Sequence, residues 1–285
     1  MIKGVDIGGT FVKILWEDGR REKVYVKDIY KDKKAALKRL VEIIKEGNPE
    51  RVGVAVAGFT SKEGKIFHSP NIPALNGIDM GDILKKEGLD FVIGNDVTVS
   101  AFGEWFYDNR DSESMVLVSI GTGLGGGFVY RGEPFYGVCG SAMELGHHII
   151  EVNGAECNCG RKGCWEAYCS SYGLERLYRK VKGENLSAHQ IAERLRGGEE
   201  EALKAVEKFK EYLITGLVNV IHIFNPDRIV LGGGLIDDIR EFLCDIEDLL
   251  KERAESLPSS CFSLNFSLAG EYLGARGALA LAKNK

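Results

Sequence analysis

Four residues with metal-binding side chains fall close together in the stretch AMELGHHIIEVNGAECNCGRKGCWE: His147, Cys157, Cys159 and Cys164. Three thiolates and one imidazole form the donor set of a tetrahedral structural zinc site, and four protein ligands leave no open position for a catalytic water. Glu144 and Glu166 flank the cluster. Gly154, Gly160 and Gly163 are placed where the chain must turn tightly, and positive φ is expected at them. A bound zinc would fold this loop-like stretch and hold the two carboxylates beside a pocket. Ordinary thiols and a packed or surface histidine are the plain alternative. The combination CxCGxxGC with an upstream histidine is what favours zinc.

Other short motifs could handle phosphate. IKGVDI reads as a buried strand, and Gly8, Gly9 and Thr10 follow it before a returning run. Glycines at such a tip let phosphate oxygens reach main-chain N–H groups. Asp6 at its base could hold Mg²⁺ through water, and Lys13 could reach a phosphate as a point charge. A plain glycine hairpin would look the same. MVLVSIGTGLGGGFVYRG repeats the theme, with Gly121, Thr122 and Gly123 after a strand. A dinucleotide fingerprint would need a helix after those glycines, and FVYRG reads as strand, so that reading is rejected. RIVLGGGLI places Gly232, Gly233 and Gly234 where backbone could approach an adenine or ribose, or where a strand simply turns into a helix.

Asn95 and Asp96 close the apolar run FVIG at the start of a helix. Carboxyl ends of strands in open α/β sheets are where ligands bind. Asp96 could instead be the N-cap of that helix. Asn71, in the rigid SPNIP loop, is either a turn former or a ligand contact.

The elements that must position these residues alternate strand and helix. Helical periodicity covers residues 31–46, with Leu37, Leu40, Val41 and Ile44 on one face. RVGVAVAG is a buried strand, Gly81–Lys86 a helix, and Glu199–Phe224 a long amphipathic helix. Asp237–Glu255 is expected as one helix, FSLNFSL as a strand, and LGARGALALA as a closing helix of small residues suited to close packing. The reading is an α/β protein of two domains, 1–113 completed by 272–285, and 114–271, with a boundary near 111–114 where DSES interrupts the apolar runs.

Composition narrows the function classes. The chain has 285 residues and a formal charge of −5 from 37 basic and 42 acidic residues, with no basic stripe, so a nucleic-acid surface is not expected. No run spans a membrane and the first residues lack a signal-peptide layout, which predicts a cytoplasmic protein. Seven cysteines, three of them in the cluster, make a disulfide framework a poor account.

With DIGGT, Asn95-Asp96, GTGLGGG, ELGH, CNCGRKGCWE and LGGG in this order, the chain resembles the ROK family of sugar kinases over essentially its full length, and looks closest to the bacterial ROK glucokinases. The resemblance implies an actin-like, hexokinase-type ATPase fold, two α/β domains flanking a nucleotide and sugar cleft. It implies ATP, Mg²⁺ and a structural Zn²⁺ as cofactors, a hexose as substrate, and a homodimer. Asp6–Thr10 and Gly121–Gly123 match the two phosphate loops and Gly232–Gly234 the adenosine region. Asp96 matches the general base, and Asn95, Glu144, His147 and Glu166 match sugar-hydroxyl ligands; Asn71 is expected as a further substrate contact. His147, Cys157, Cys159 and Cys164 match the zinc ligands. Met143 stands where a glycine commonly precedes the glutamate of ExGH, ALNG lacks the frequent tryptophan, and Ala57-Gly58-Phe59 lacks the usual proline. These departures surround the sugar side and put the choice of hexose (glucose, or fructose, mannose or N-acetylmannosamine) in question. A sugar-sensing repressor of the same family would need a DNA-binding segment ahead of the residue-6 loop, which is not expected here.

Overall fold

The computed structural model describes residues 1–138 and 140–284. The chain groups into two compact units, Met1–Glu113 with Gly127–Met143 and Glu271–Lys285, and Ser114–Gly126 with Glu144–Gly270. Gly127–Met143 thus groups with the first unit and not with the 114–271 block drawn from the sequence. No described helix is long and apolar enough to cross a membrane.

In the first unit, β1 (Ile2–Ile7) and β2 (Phe11–Trp16) form the hairpin expected around Gly8-Gly9-Thr10, and β3 (Arg21–Tyr25) extends it. Helix α1 (Lys33–Lys45) starts at Asp32, whose carboxylate accepts the Ala35 N–H at 2.6 Å. Its fully buried side is Ala36, Leu40, Ile43 and Ile44, so the buried stripe is rotated from the expected one and Leu37 and Val41 are only half-buried. Then come β4 (Arg51–Val56), the short hairpin β5 (Phe59–Thr60) and β6 (Ile66–His68), α2 (Met80–Lys86), β7 (Phe91–Asn95) and α3 (Asp96–Asp108). The sheet order is β3-β2-β1-β4-β7, antiparallel on the hairpin side and parallel from β1 through β4 to β7. β4 shows why it reads as an unbroken apolar run: five of its six residues are fully buried.

The second sheet runs β10-β9-β8-β11-β12. Its strands are β8 (Ser114–Ile120), β9 (Leu124–Tyr130), β10 (Glu133–Pro134), β11 (Arg228–Gly232) and β12 (Ser263–Phe266). β8, β11 and β12 are parallel neighbours. The chain leaves the second unit for the first part-way along β9. The second unit carries α4 (Ser171–Lys182), α5 (Ala188–Arg196), α6 (Glu200–Phe224), α7 (Gly234–Ile239), α8 (Ile246–Arg253) and the short α9 (Ser256–Ser259). α5 has the capping box that Ser187 and Gln190 encode. The single helix expected over Asp237–Glu255 is instead α7, a 3₁₀ turn at Arg240–Leu243, and α8. The helical start is displaced to Gly234 because Gly233 reverses the chain at φ +97°, a conformation that suits glycine.

The closing helix α10 (Leu273–Lys283) belongs to the first unit and packs on β1, β4 and α3. Its small residues allow direct backbone contact, as their spacing suggested. A Cβ on Gly53 would stand 1.8 Å from the carbonyl oxygen of Ala278, and one on Gly4 would stand 2.2 Å from that of Ala275. Because the obstacle is backbone, no rotamer change relieves it. Gly53→Ala is expected to cost about 3 kcal/mol or more, since the helix must move off the sheet. A urea titration showing less than about 1 kcal/mol would contradict this packing.

Candidate active site

At the end of β1, Asp6 lies partly buried beside Lys13, its partner across the hairpin. A Cβ on Gly274, at the start of α10, would come within 2.6 Å of the Asp6 carboxyl. The hairpin tip is pinned by the Gly8 N–H donating to the Phe11 carbonyl at 3.1 Å and by the Tyr30 hydroxyl donating to the Gly8 carbonyl at 2.9 Å. Gly9 lies against the SPNIP loop, where its Cβ would be 2.9 Å from the Asn71 carbonyl oxygen. The Asn71 side chain is exposed and Thr10 is exposed at the tip. Lys13 donates to the Glu271 carbonyl at 2.7 Å and pairs with the Glu271 carboxylate at 3.9 Å. These contacts hold it at the Asp6 side of the hairpin and not extended toward the tip.

Burial pushes the Asp6 carboxyl from 3.8 up to about 6, and the Lys13 cation pulls the other way. The native state therefore holds this proton more tightly than the unfolded chain does. The group's stabilising contribution is complete below 3.8 and is lost as pH rises through about 6. Asp6→Asn removes the ionisation. It is expected to raise Tm at about pH 7.5 and to leave Tm near wild type at about pH 4. Melting curves at the two pH values check the sign, and a lower Tm at the higher pH would contradict it.

Asn95 and Asp96 stand at the junction of β7 and α3. The N-cap is Asn95, not Asp96. The Asn95 side-chain oxygen accepts the N–H groups of Val97 and Thr98, each at 3.0 Å. The Asn95 amide donates to the Gly58 carbonyl and to Asp96 Oδ1, again at 3.0 Å. Asp96 is the first helical residue, so its carboxylate is oriented by its neighbour and sits within the positive end of α3. Gly58, in the loop that lacks the usual proline, has φ +115°, and a Cβ there would be 2.4 Å from the His68 carbonyl oxygen.

In the second unit the two glycine motifs come together. Gly121 and Thr122, after β8, line one cavity of about 630 Å³ with Gly234 after β11. Gly233 presses on the end of β8, where its Cβ would be 2.4 Å from the Ile120 carbonyl oxygen, and Gly232 is the buried end of β11. Glu175 and Asp237 also line this cavity, and burial raises the Asp237 carboxyl. Sequence reasoning missed both. Asp237, three residues past the LGGG motif, carried a positional signal, whereas Glu175 looks like any polar position of an amphipathic helix.

The four expected metal ligands are assembled. Ligand atoms of His147, Cys157, Cys159 and Cys164 all lie within 4.8 Å of one another. Cys159 and Cys164 Sγ are 3.7 Å apart, and Cys157 Sγ is 3.9 Å from His147 Nδ1. A zinc with Zn–S bonds of about 2.3 Å sets tetrahedral S···S edges of about 3.8 Å, so this set fits that ion. Burial and the neighbouring thiols push the Cys164 thiol up to about 12, and a cation bound among the sulfurs would favour its thiolate. All described cysteines are free thiols. Gly160 and Gly163 have the positive φ expected of them, at +84° and +77°. Gly154 does not. It is small for another reason: its Cβ would be 2.1 Å from the Tyr168 hydroxyl.

Glu144 directly precedes the 3₁₀ turn Leu145–His147 that carries the histidine. Its carboxyl is raised by partial desolvation, countered by His147 and reinforced by Glu166. Glu166 is half-buried, and its Oε2 accepts the Leu124 N–H at 2.9 Å.

Comparison with known proteins matches residues 2–285 to the ROK family. The chain belongs to the ROK family. A glucokinase of Thermotoga maritima is 33% identical over 81% of this chain and 81% of its own. An N-acetyl-D-glucosamine kinase of Pectobacterium atrosepticum is 35% identical over 85% of this chain and 87% of its own. The crystal structure of a ROK glucokinase from Streptomyces griseus, in complex with glucose and AMPPNP, has a TM-score of 0.81 and 25% identity, covering 100% of this chain and 99% of that one. The two-sheet architecture is accordingly the actin-like, hexokinase-type ATPase fold of ROK proteins.

Proposed function

We propose that this ROK protein transfers the γ-phosphoryl group of ATP to a hydroxyl of a hexose, with the 6-OH of glucose as first choice. The observation that carries the reading is Asp96. Its neighbour Asn95 caps α3 and also donates to the Asp96 carboxylate at 3.0 Å, which orients that carboxylate at the end of β7. Asp96 accepts the hexose hydroxyl proton. The hydroxyl oxygen forms a bond to the γ-phosphorus, the bond from that phosphorus to the β,γ-bridging oxygen breaks, and ADP leaves with the electron pair. Asn71, Glu144, His147 and Glu166 are the proposed partners for sugar hydroxyls. In the Gly8–Thr10 and Gly121–Gly123 loops the N–H groups of Gly8 and Gly121 are taken by the Phe11 and Gly123 carbonyls, so the N–H groups that follow them are the proposed phosphate contacts, and the cavity lined by Gly234, Glu175 and Asp237 receives the nucleoside. Mg²⁺, when bound, would neutralise phosphate charge, and Asp6 is the residue proposed to hold it through water. Zn²⁺, when bound at the closed His-Cys₃ set, would order the segment that carries Glu144 and Glu166.

The Pectobacterium relative's name favours a second reading, in which the acceptor is N-acetylglucosamine. The two are separated by kcat/KM for glucose, N-acetylglucosamine, mannose, fructose and N-acetylmannosamine with ATP and Mg²⁺. Glucose is expected to lead by about tenfold or more, a difference of about 1.4 kcal/mol in transition-state binding. N-acetylglucosamine in front would correct the substrate and keep the mechanism.

A further inference from the structure

Glu166 is assigned above to a sugar hydroxyl, yet its carboxylate is already engaged within its own unit. Oε2 accepts the Leu124 N–H at 2.9 Å, and Oε1 accepts the Tyr172 hydroxyl at 3.1 Å. Leu124 directly follows the Gly121–Gly123 loop. The loop is shaped to admit the carboxylate, because a Cβ on Gly123 would stand 2.5 Å from Glu166 Oε2. The other end of the same loop is gripped by the residue before Tyr172. The Ser171 N–H and hydroxyl both donate to the Gly121 carbonyl, each at 2.8 Å. The Tyr172 hydroxyl also lies 3.6 Å from Cys157 Sγ, and Glu166 Oε1 lies 3.8 Å from that sulfur. A cluster sulfur thus reaches the carboxylate that fixes the loop both through the Tyr172 hydroxyl and by a longer direct contact.

We propose that Tyr172 and Glu166 are positioning residues that couple the His-Cys₃ cluster to the GTG loop, so that metal occupancy sets nucleotide affinity. The proposal rests on the reading of that loop as a nucleotide contact and of the cluster as a zinc site. Zinc fixes Cys157. Cys157 then limits where the Tyr172 hydroxyl and the Glu166 carboxylate can sit, and these hold the Leu124 N–H and the loop in the shape that receives phosphate. Coupling of this kind is reciprocal: if zinc tightens nucleotide binding by some factor, nucleotide tightens zinc binding by the same factor.

The test uses the full chain without sugar. ADP affinity is measured by calorimetry on zinc-loaded and zinc-stripped wild type and on Tyr172→Phe. Zinc affinity is measured with and without ADP by competition with a chromophoric chelator. Wild type is expected to bind ADP about tenfold more weakly when stripped, and to hold zinc about tenfold more tightly with ADP present. Tyr172→Phe should keep one zinc per chain and a Tm near wild type, bind ADP more weakly when loaded, and lose most of the zinc dependence. The chelator competition starts from loaded protein, and comparing wild type with Tyr172→Phe in it separates coupling through the loop from any unfolding of the stripped form, which both proteins share. Equal ADP affinities with and without zinc, or a Tyr172→Phe protein with the full wild-type difference, would overturn the coupling. Loaded wild type that binds no ADP at all would overturn the nucleotide reading, and the coupling with it.

Discussion

Asp96→Asn is expected to lower kcat by about 10²–10⁴-fold while hexose and ADP affinities stay within about threefold of wild type. The substitution removes the proton acceptor and keeps an oxygen of the same shape in its place. Asn95 caps α3 through its own side chain, and Ser100 Oγ donates to the Asp96 carbonyl, not to its carboxylate. An amide oxygen at position 96 can still accept the Asn95 N–H. Tm should therefore change by no more than about 2 °C. Asn95→Ala is the informative contrast. It deletes the cap as well as the group that orients Asp96, so it should cost about 1 kcal/mol of stability together with activity. Steady-state ADP release, with calorimetric titration of sugar and ADP, separates the two effects. An Asp96→Asn protein with near-wild-type kcat would remove Asp96 from the chemistry.

The second large effect is expected at the metal cluster. Cys164→Ser should abolish the retention of one zinc per chain and lower Tm by about 10 °C or more. The segment around the ligands has few elements of its own: two 3₁₀ turns, isolated bridges such as Ile149 with Cys164 and Glu156 with Lys162, and turns at Gly160 and Gly163. A bound zinc would add cross-links to the few backbone hydrogen bonds that hold this segment, such as Ile150 N–H to the Gly163 carbonyl and Trp165 N–H to the His148 carbonyl. Sugar affinity should fall with the metal, because Glu144 and Glu166 are attached to this segment. Metal analysis and melting curves on wild type, Cys164→Ser and chelator-treated protein check this. A metal-free wild type with unchanged Tm would contradict a structural zinc.

The metal cluster and the glycine loops of the candidate site were legible in the sequence, because there chemistry dictates residue type. Thiol and imidazole spacing exposed the cluster, because few other uses call for CxCGxxGC with a histidine upstream. The glycine loops were visible because a Cβ would collide with backbone at Gly9 and Gly233 and with the Glu166 carboxylate at Gly123. The rest was hidden for physical reasons. Asn95 and Asp96 are both good caps, and pattern alone could not say which side chain turns back to the helix. Gly154 looked like a turn residue but is small to admit the Tyr168 hydroxyl. Tyr172 and Glu175 lie among the ordinary positions of an amphipathic helix, and their roles depend on which elements fold against that face. The break between α7 and α8 was masked by polar and apolar residues that suit a continuous helix.

The measurement that reaches the central claim most directly is phosphorus NMR of the protein incubated with ATP, Mg²⁺ and glucose. The account predicts that the γ-phosphate signal of ATP is replaced by a sugar phosphomonoester and ADP in equal amounts, and that Asp96→Asn slows this conversion by the factor given above. Orthophosphate as the only product, or binding of the hexoses tested with no phosphoryl transfer to any of them, would contradict a sugar kinase and point to a ROK protein that senses its ligand without reacting with it.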